Sequence, residues 1–238
     1  MFKYLESTYI WLMCILYTLK ISINIIFYSY IYKQKKLRYQ GDRILKKWAK
    51  SLLKIVKAKY TIHDKAKLLN LDKNRNYIIM SNHSSIYDIP LALLTVKGSV
   101  RMLTKSTLFK IPIWGKALSL SEFLPIDRLN SRNIIKQLNY AKQKMQSGII
   151  LWIAPEGTRS KKNTSIKKGG FLLAKKTEAI IITLRIENAH KVHKAKSFLF
   201  NTKQKIDVYV KNFIDSNDYK GNTKGLINAV TDEIHHSH

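Results

Sequence analysis

Six short strand-like runs, two of them (Ile149–Ala154 and Ala179–Ile186) rich in isoleucine, constrain the fold of this chain more than any other feature. They are Asn76–Ser81, Val100–Thr104, Glu122–Ile126, Ile149–Ala154, Ala179–Ile186 and Ile206–Val210. Each has the length and composition of a strand, and several are apolar at consecutive positions, as strands covered on both faces are. Helical patterns stand between them. After Ser131, a capping residue type, Ile134, Ile135, Leu138, Ala141 and Met145 share one helical face, and Gly148 closes the segment. Strands separated by helices argue for an α/β fold, with a mostly buried mixed sheet flanked by helices over residues 60–238. The tail from Tyr219 reads as a polar helix with a His-rich end.

The N-terminal part is different in kind. Tyr9 to Tyr32 is mostly apolar and aromatic, interrupted by Lys20 and softened by Ser22, Asn24 and Ser29. About 20 such residues suffice for one tilted membrane span. A lysine near mid-bilayer costs about 2.5–3.5 kcal/mol, a cost that two shorter segments meeting near Lys20 and entering one leaflet would avoid. Residues 1–40 are therefore expected to be a membrane-anchoring helical segment, spanning or interfacial. Lys33, Lys35, Lys36 and Arg38 follow it, against a lone Lys3 before it, which places the bulk of the chain on the cytoplasmic face. Residues 41–59 read as a basic amphipathic helix: Ile44, Trp48, Leu52, Ile55 and Val56 gather opposite Lys46, Lys47, Lys50, Lys54 and Lys57. Such a helix suits an anionic lipid surface, or packs on the domain with its lysines in water.

Charge narrows the partners. The 238 residues carry 43 Lys+Arg against 15 Asp+Glu, a formal net charge of +28, which calls for an anionic partner: nucleic acid, an anionic membrane or a phosphorylated substrate. The lysines are dispersed, and no zinc knuckle, RNP motif or helix-turn-helix pattern accompanies them, which argues against nucleic acid. A single cysteine, Cys14, excludes an internal disulfide and a Cys-based zinc site. A metal hydrolase built on His190 and His193, or on His235, His236 and His238, lacks a partnered carboxylate set. No GxSxG elbow or Gly-rich phosphate loop occurs.

The chemistry-bearing residues follow strands. After the first run stands Asn82-His83-Ser84-Ser85-Ile86-Tyr87-Asp88. With His83 in the strand-to-helix loop and Asp88 in the first helical turn, the carboxylate can fold back onto the imidazole, fix its tautomer and leave the other nitrogen as a base. A capping aspartate beside a surface histidine is the alternative. Ser84 and Ser85 read as loop residues, so the pattern points to general-base catalysis without a covalent intermediate. After the run IILWIA comes Pro155-Glu156-Gly157-Thr158-Arg159-Ser160, where an arginine and hydroxyls at a glycine turn can bind phosphate, with Glu156 orienting them. Phe123-Leu124-Pro125-Ile126-Asp127-Arg128 sets a second arginine at another strand end. Ligands of α/β sheets bind at such ends.

These three ordered blocks resemble those of the glycerolipid acyltransferases, whose best-known members are the 1-acyl-sn-glycerol-3-phosphate acyltransferases. Lys105, Leu108, Pro112, Gly115 and Lys168-Gly169-Gly170-Phe171 with Ala174 also fit, and the resemblance covers about residues 75 to 187. It implies that His83 deprotonates the sn-2 hydroxyl of lysophosphatidic acid, which attacks an acyl thioester to give phosphatidic acid, with Asp88 orienting His83. It further implies that Arg128 holds the acceptor's phosphate, that Glu156, Gly157, Thr158 and Arg159 shape the same pocket, and that Lys105 adds a contact. Acyl-CoA or an acyl carrier protein would be co-substrate, with no metal or other cofactor and with membrane lipid as surroundings. One block departs: Ile180 and Thr183 stand where the family shows prolines, and Ala154 replaces a common aromatic. Strand character is kept, and the same chemistry on another lysolipid acceptor is the alternative substrate reading.

Overall fold

The structure is a computed structural model and describes residues 1–126, 134–157, 159 and 166–235. Its strands are β1 (Lys59–His63), β2 (Tyr77–Ser81), β3 (Ser99–Lys105), β4 (Leu124–Ile126), β5 (Ile149–Ile153), β6 (Ile180–Glu187) and β7 (Lys205–Asp215). Its helices are α1 (Phe2–Ile31), α2 (Gln34–Ile55), α3 (Asp88–Thr95), α4 (Trp114–Leu120), α5 (Ile134–Gln146), α6 (Gly169–Thr177), α7 (Ala189–Val192) and α8 (Thr223–His235). The sheet runs β1-β7-β6-β2-β5-β3-β4. Five central and right-hand strands are mutually parallel, while β7 is antiparallel to β6 and parallel to the edge strand β1. The fold is thus the expected α/β arrangement with a mixed sheet, and each of the six runs contributes a strand. Only β1 comes from outside them: its residues alternate between exposed and half-buried, so it lacks the apolar run that marks the others.

Alternation along the strands divides the core. Tyr77 and Ile79 face a cluster with Leu45, Ala49, Ala92 and Trp152, whereas Ile78 and Met80 face Ala141, Phe171, Val230 and Ile234. One face of the sheet is therefore covered by α2 and α3, the other by α5, α6 and α8. Thr183 in β6 is fully buried and exchanges hydrogen bonds with the backbone of Asn212 across an irregularity of the β6–β7 ladder. A position where the family shows proline is here a sheet-repair residue.

The N-terminal helix does not stand apart from the domain. It runs unbroken through Lys20, and over 30 residues it extends about 45 Å. Its inner stripe (Ser7, Ile10, Ile21, Ser22 and Ile25) is buried. Ser7 Oγ accepts the Phe200 amide, Trp11 Nε1 donates to the Phe198 carbonyl, Trp48 Nε1 donates to Thr18 Oγ1, and Lys116 reaches Tyr30. Leu5, Tyr9, Leu12, Leu16, Ile23, Phe27 and Tyr30 form an exposed outer stripe. The second helix begins at Gln34, ahead of the expected Asp42, and ends at Ile55, with Lys59 already in β1. Its buried face is centred on Leu45, Ala49, Leu52, Leu53 and Val56. Asp42 pins it to the sheet, pairing with the fully buried Arg101 at 2.7 Å and accepting from Ser99 at 2.6 Å.

Candidate active site

The connection from β2 to α3 is fixed by side-chain hydrogen bonds. Asn82 continues β2 by side chain: its Nδ2 donates to the Ile186 carbonyl and its Oδ1 accepts the Ile186 amide, both at 2.8 Å. The chain then turns, and Asp88 opens α3 with no solvent exposure. One carboxylate oxygen, Oδ2, accepts from three donors: His83 Nδ1 at 2.9 Å, the Ser84 amide at 2.6 Å and the Ser85 amide at 2.8 Å. The His83–Asp88 contact is thus present, whereas Asp88 accepts no amide of the helix it opens, which has no side-chain cap. The amide bonds fix the loop, and the fixed loop holds the imidazole. A carboxylate only accepts, so Nδ1 carries the proton and Nε2 is left with its lone pair. The ring stands edge-on to Trp152, 5.2 Å between centroids at 84°, and Trp152 is itself held by Nε1 donating to Ser81 Oγ at 3.0 Å. Ser85 Oγ donates to the His193 carbonyl at 3.0 Å, tying the loop to the segment after β6.

The loop after β5 reaches the same place. Gly157 adopts φ +70°, which an L side chain rarely takes, and its amide closes a turn on the Ala154 carbonyl at 3.0 Å. That turn directs Glu156 inward, where its carboxylate lies near the His83 backbone amide and meets His235 Nε2 at 3.2 Å. Burial pushes the Glu156 carboxyl above the usual range, Asp88 adds to this, and His235 and His83 oppose it. Arg159 lies close enough to the buried His193 for its charge to add to the burial that pushes the His193 imidazole down. Lys105 is exposed at the C-terminal end of β3, opposite Ile126 of β4. Because β2 through β6 are parallel, His83, Glu156, Gly157, Arg159 and Lys105 all follow strand ends on one edge of the sheet. Arg128 and Thr158 lie outside the described residues. Among the described residues, no three His, Cys, Asp or Glu side chains gather as a metal site requires.

A cavity of about 470 Å³ opens beside this edge. Ile86 and Tyr87 of the His83–Asp88 connection and Pro90 of α3 form one wall, and Trp11, Cys14 and Thr18 of α1, Trp48 and Leu52 of α2, and Pro112 and Trp114 complete it. Gly115 permits that last wall: a Cβ there would sit 2.1 Å from the Phe109 carbonyl oxygen, so only glycine lets α4 approach the preceding turn. By sequence, Trp11 and Thr18 belong to the anchoring segment, Trp48 to a helix face and His235 to the His-rich tail. Nothing local marks them, because they reach the site only through packing of the two ends of the chain.

Comparison with known proteins bears on the whole arrangement. The family model described as Acyltransferase matches residues 59–187. A chloroplastic 1-acyl-sn-glycerol-3-phosphate acyltransferase of Arabidopsis thaliana is 32% identical over 117 residues, covering 48% of this chain and 33% of that protein. The 1-acyl-sn-glycerol-3-phosphate acyltransferase of Helicobacter pylori is 29% identical over 136 residues, 54% of this chain and 57% of that one. The matched part thus spans about a third of the first relative and under three-fifths of the second. In three dimensions the chain is similar to the crystal structure of a 1-acyl-sn-glycerophosphate acyltransferase from Thermotoga maritima. The TM-score is 0.77 at 21% identity, over 97% of this chain and 94% of that one.

Proposed function

Because the chain belongs to the acyltransferase family, whose model spans more than half of it, we propose that it acylates the sn-2 hydroxyl of lysophosphatidic acid from an acyl thioester, giving phosphatidic acid. The observation that carries the reading is the Asp88 carboxylate on His83 Nδ1, which leaves Nε2 as a base in the loop whose Ile86 and Tyr87 line the apolar cavity. Nε2 takes the hydroxyl proton as the oxygen attacks the thioester carbonyl. The imidazolium so formed is stabilised by Asp88, the C–S bond breaks, and the proton passes to the departing thiolate. No residue is acylated. Nδ1 stays protonated throughout.

The remaining roles follow position. The cavity takes the acyl chain, each buried methylene contributing about 0.8 kcal/mol. Arg159 and Lys105 clamp the acceptor's phosphate beside the Gly157 turn, Glu156 orders the base loop, and Arg128 and Thr158 are given phosphate-site roles by the resemblance alone. Acyl-CoA and an acyl carrier protein are both anionic thioesters suited to the basic surface. The outer stripe of α1 enters one leaflet: with its inner stripe covered by the domain, the helix cannot present apolar surface all round, as a span through about 30 Å of hydrocarbon must. Exposed Lys33, Lys35 and Lys36 then meet anionic headgroups of the cytoplasmic leaflet.

The test is transfer of labelled acyl groups to a panel of lysolipids by wild type and His83→Ala side by side. Phosphatidic acid is the expected product, with turnover lowered about 10²–10⁴-fold in the variant. Unchanged turnover removes His83 from the chemistry, and preference for a lyso-amino lipid or another lysophospholipid replaces the acceptor. That second acceptor reading is motivated by Ile180 and Thr183, where the family's prolines are missing.

A further inference from the structure

The last helix ends beside the candidate active site. Leu226, Val230 and Ile234, four residues apart, are buried against the sheet and set the helix in register. The next residue, His235, is thereby delivered to Glu156, 3.2 Å from Nε2 to Oε1. Its carbonyl accepts from Arg185 Nη1 at 3.3 Å, and Arg185 is held in turn by Glu187 at 2.8 Å. The helix terminus is thus tethered to β6 as well as to the β5 loop. Glu156, on the other side, lies near the backbone amide of His83, which favours its ionised form. A continuous path runs from α8 through one carboxylate to the residue that carries the base.

Resting on the acyl-transfer reading, we infer that His235 is a positioning residue, its imidazole holding the Glu156 carboxylate in place against the His83 amide. Only the ionised carboxylate can accept from both partners; a protonated acid offers an O–H to one of them and lets the loop shift. Among the described residues, the groups facing Glu156 are His83 and Asp88 from the β2–α3 connection and His235 from α8, while Arg185 and Glu187 of β6 flank His235. Burial and Asp88 both favour the neutral acid, and His235 is the first-ranked opposing influence. Removing its charge therefore moves the titration of Glu156 upward, and the loss falls on the acid side of the pH range.

The experiment uses the full chain with ¹³Cδ-labelled glutamate, of which the sequence has six, the Glu156 signal being assigned by its absence in Glu156→Gln. His235→Gln is expected to raise the Glu156 titration midpoint by about one pH unit and to lower kcat/KM about tenfold on the acid limb, converging with wild type at alkaline pH. His235→Arg restores both. In a Glu156→Gln background, His235→Gln has no further effect on the pH profile. An unmoved midpoint overturns the inference whatever the activity, and so does a loss that is equal at every pH and not rescued by arginine. If the midpoint moves but wild type acylates no lysolipid, the inference about Glu156 stands and the acyl-transfer reading falls.

Discussion

Asp88→Asn is the most informative single substitution. Asp88 Oδ2 receives His83 Nδ1 and the amides of Ser84 and Ser85, at 2.9, 2.6 and 2.8 Å, and the residue is fully buried. A hydrogen bond to a charged acceptor contributes about 1.5–3 kcal/mol against about 1 for a neutral one. Neutralising the acceptor thus weakens each amide bond by about 0.5–2 kcal/mol, and the two together lower folding stability by about 1–4 kcal/mol. The third bond matters in the reaction. It strengthens as His83 becomes an imidazolium, whose charge a neutral amide oxygen in the same position stabilises far less. A barrier increase of about 3–5 kcal/mol, or about 10²–10⁴ in kcat, is expected. Thiol release from acyl-CoA gives kcat, and denaturant midpoints give the stability change. A folded variant turning over within about threefold of wild type would show that Asp88 only caps the loop, and the dyad argument would be refuted.

Further outcomes are expected elsewhere. Asp42→Ala leaves the fully buried Arg101 without its partner and should cost about 3–5 kcal/mol in urea unfolding; a loss under about 1 kcal/mol means α2 is not pinned by this pair. Cys14→Phe, which fills the cavity wall on the α1 side, should shift preference toward shorter acyl donors, each excluded methylene removing about 0.8 kcal/mol of binding. An unchanged chain-length profile separates the cavity from the acyl group. Leu12→Glu with Leu16→Glu, both on the exposed stripe of α1, should weaken binding to anionic vesicles at least tenfold, since each buried leucine contributes about 1.5–3 kcal/mol. Retained flotation would move the membrane contact to another surface.

Strand existence was legible because a covered strand must be apolar on both faces: Ile78, Ile79, Ile149 and Leu151 are almost wholly buried, and their runs stand out in any window. The pairing of His83 with Asp88 was legible because both lie in one short loop, where spacing limits the geometry. The placement of Glu156 beside His83 was expected only by resemblance, since 73 residues of chain separate them and nothing in either segment names the other. Strand β1 was hidden, as an exposed edge carries no apolar signature.

The amino-acid order alone determined the local chemistry: which loops carry a base, a carboxylate and a guanidinium, which runs are strands, and that the first thirty residues are apolar. Tertiary packing decided what those pieces face. The apolar stretch became a helix with one stripe on the domain and one outside, because Ser7, Trp11 and Thr18 found partners in Phe200, Phe198 and Trp48. His235 reached Glu156 because Leu226, Val230 and Ile234 were drawn under the sheet. Periodicity reports which side of an element seeks cover, since burial is non-directional and acts residue by residue; what supplies the cover is fixed only when every element competes for the same core.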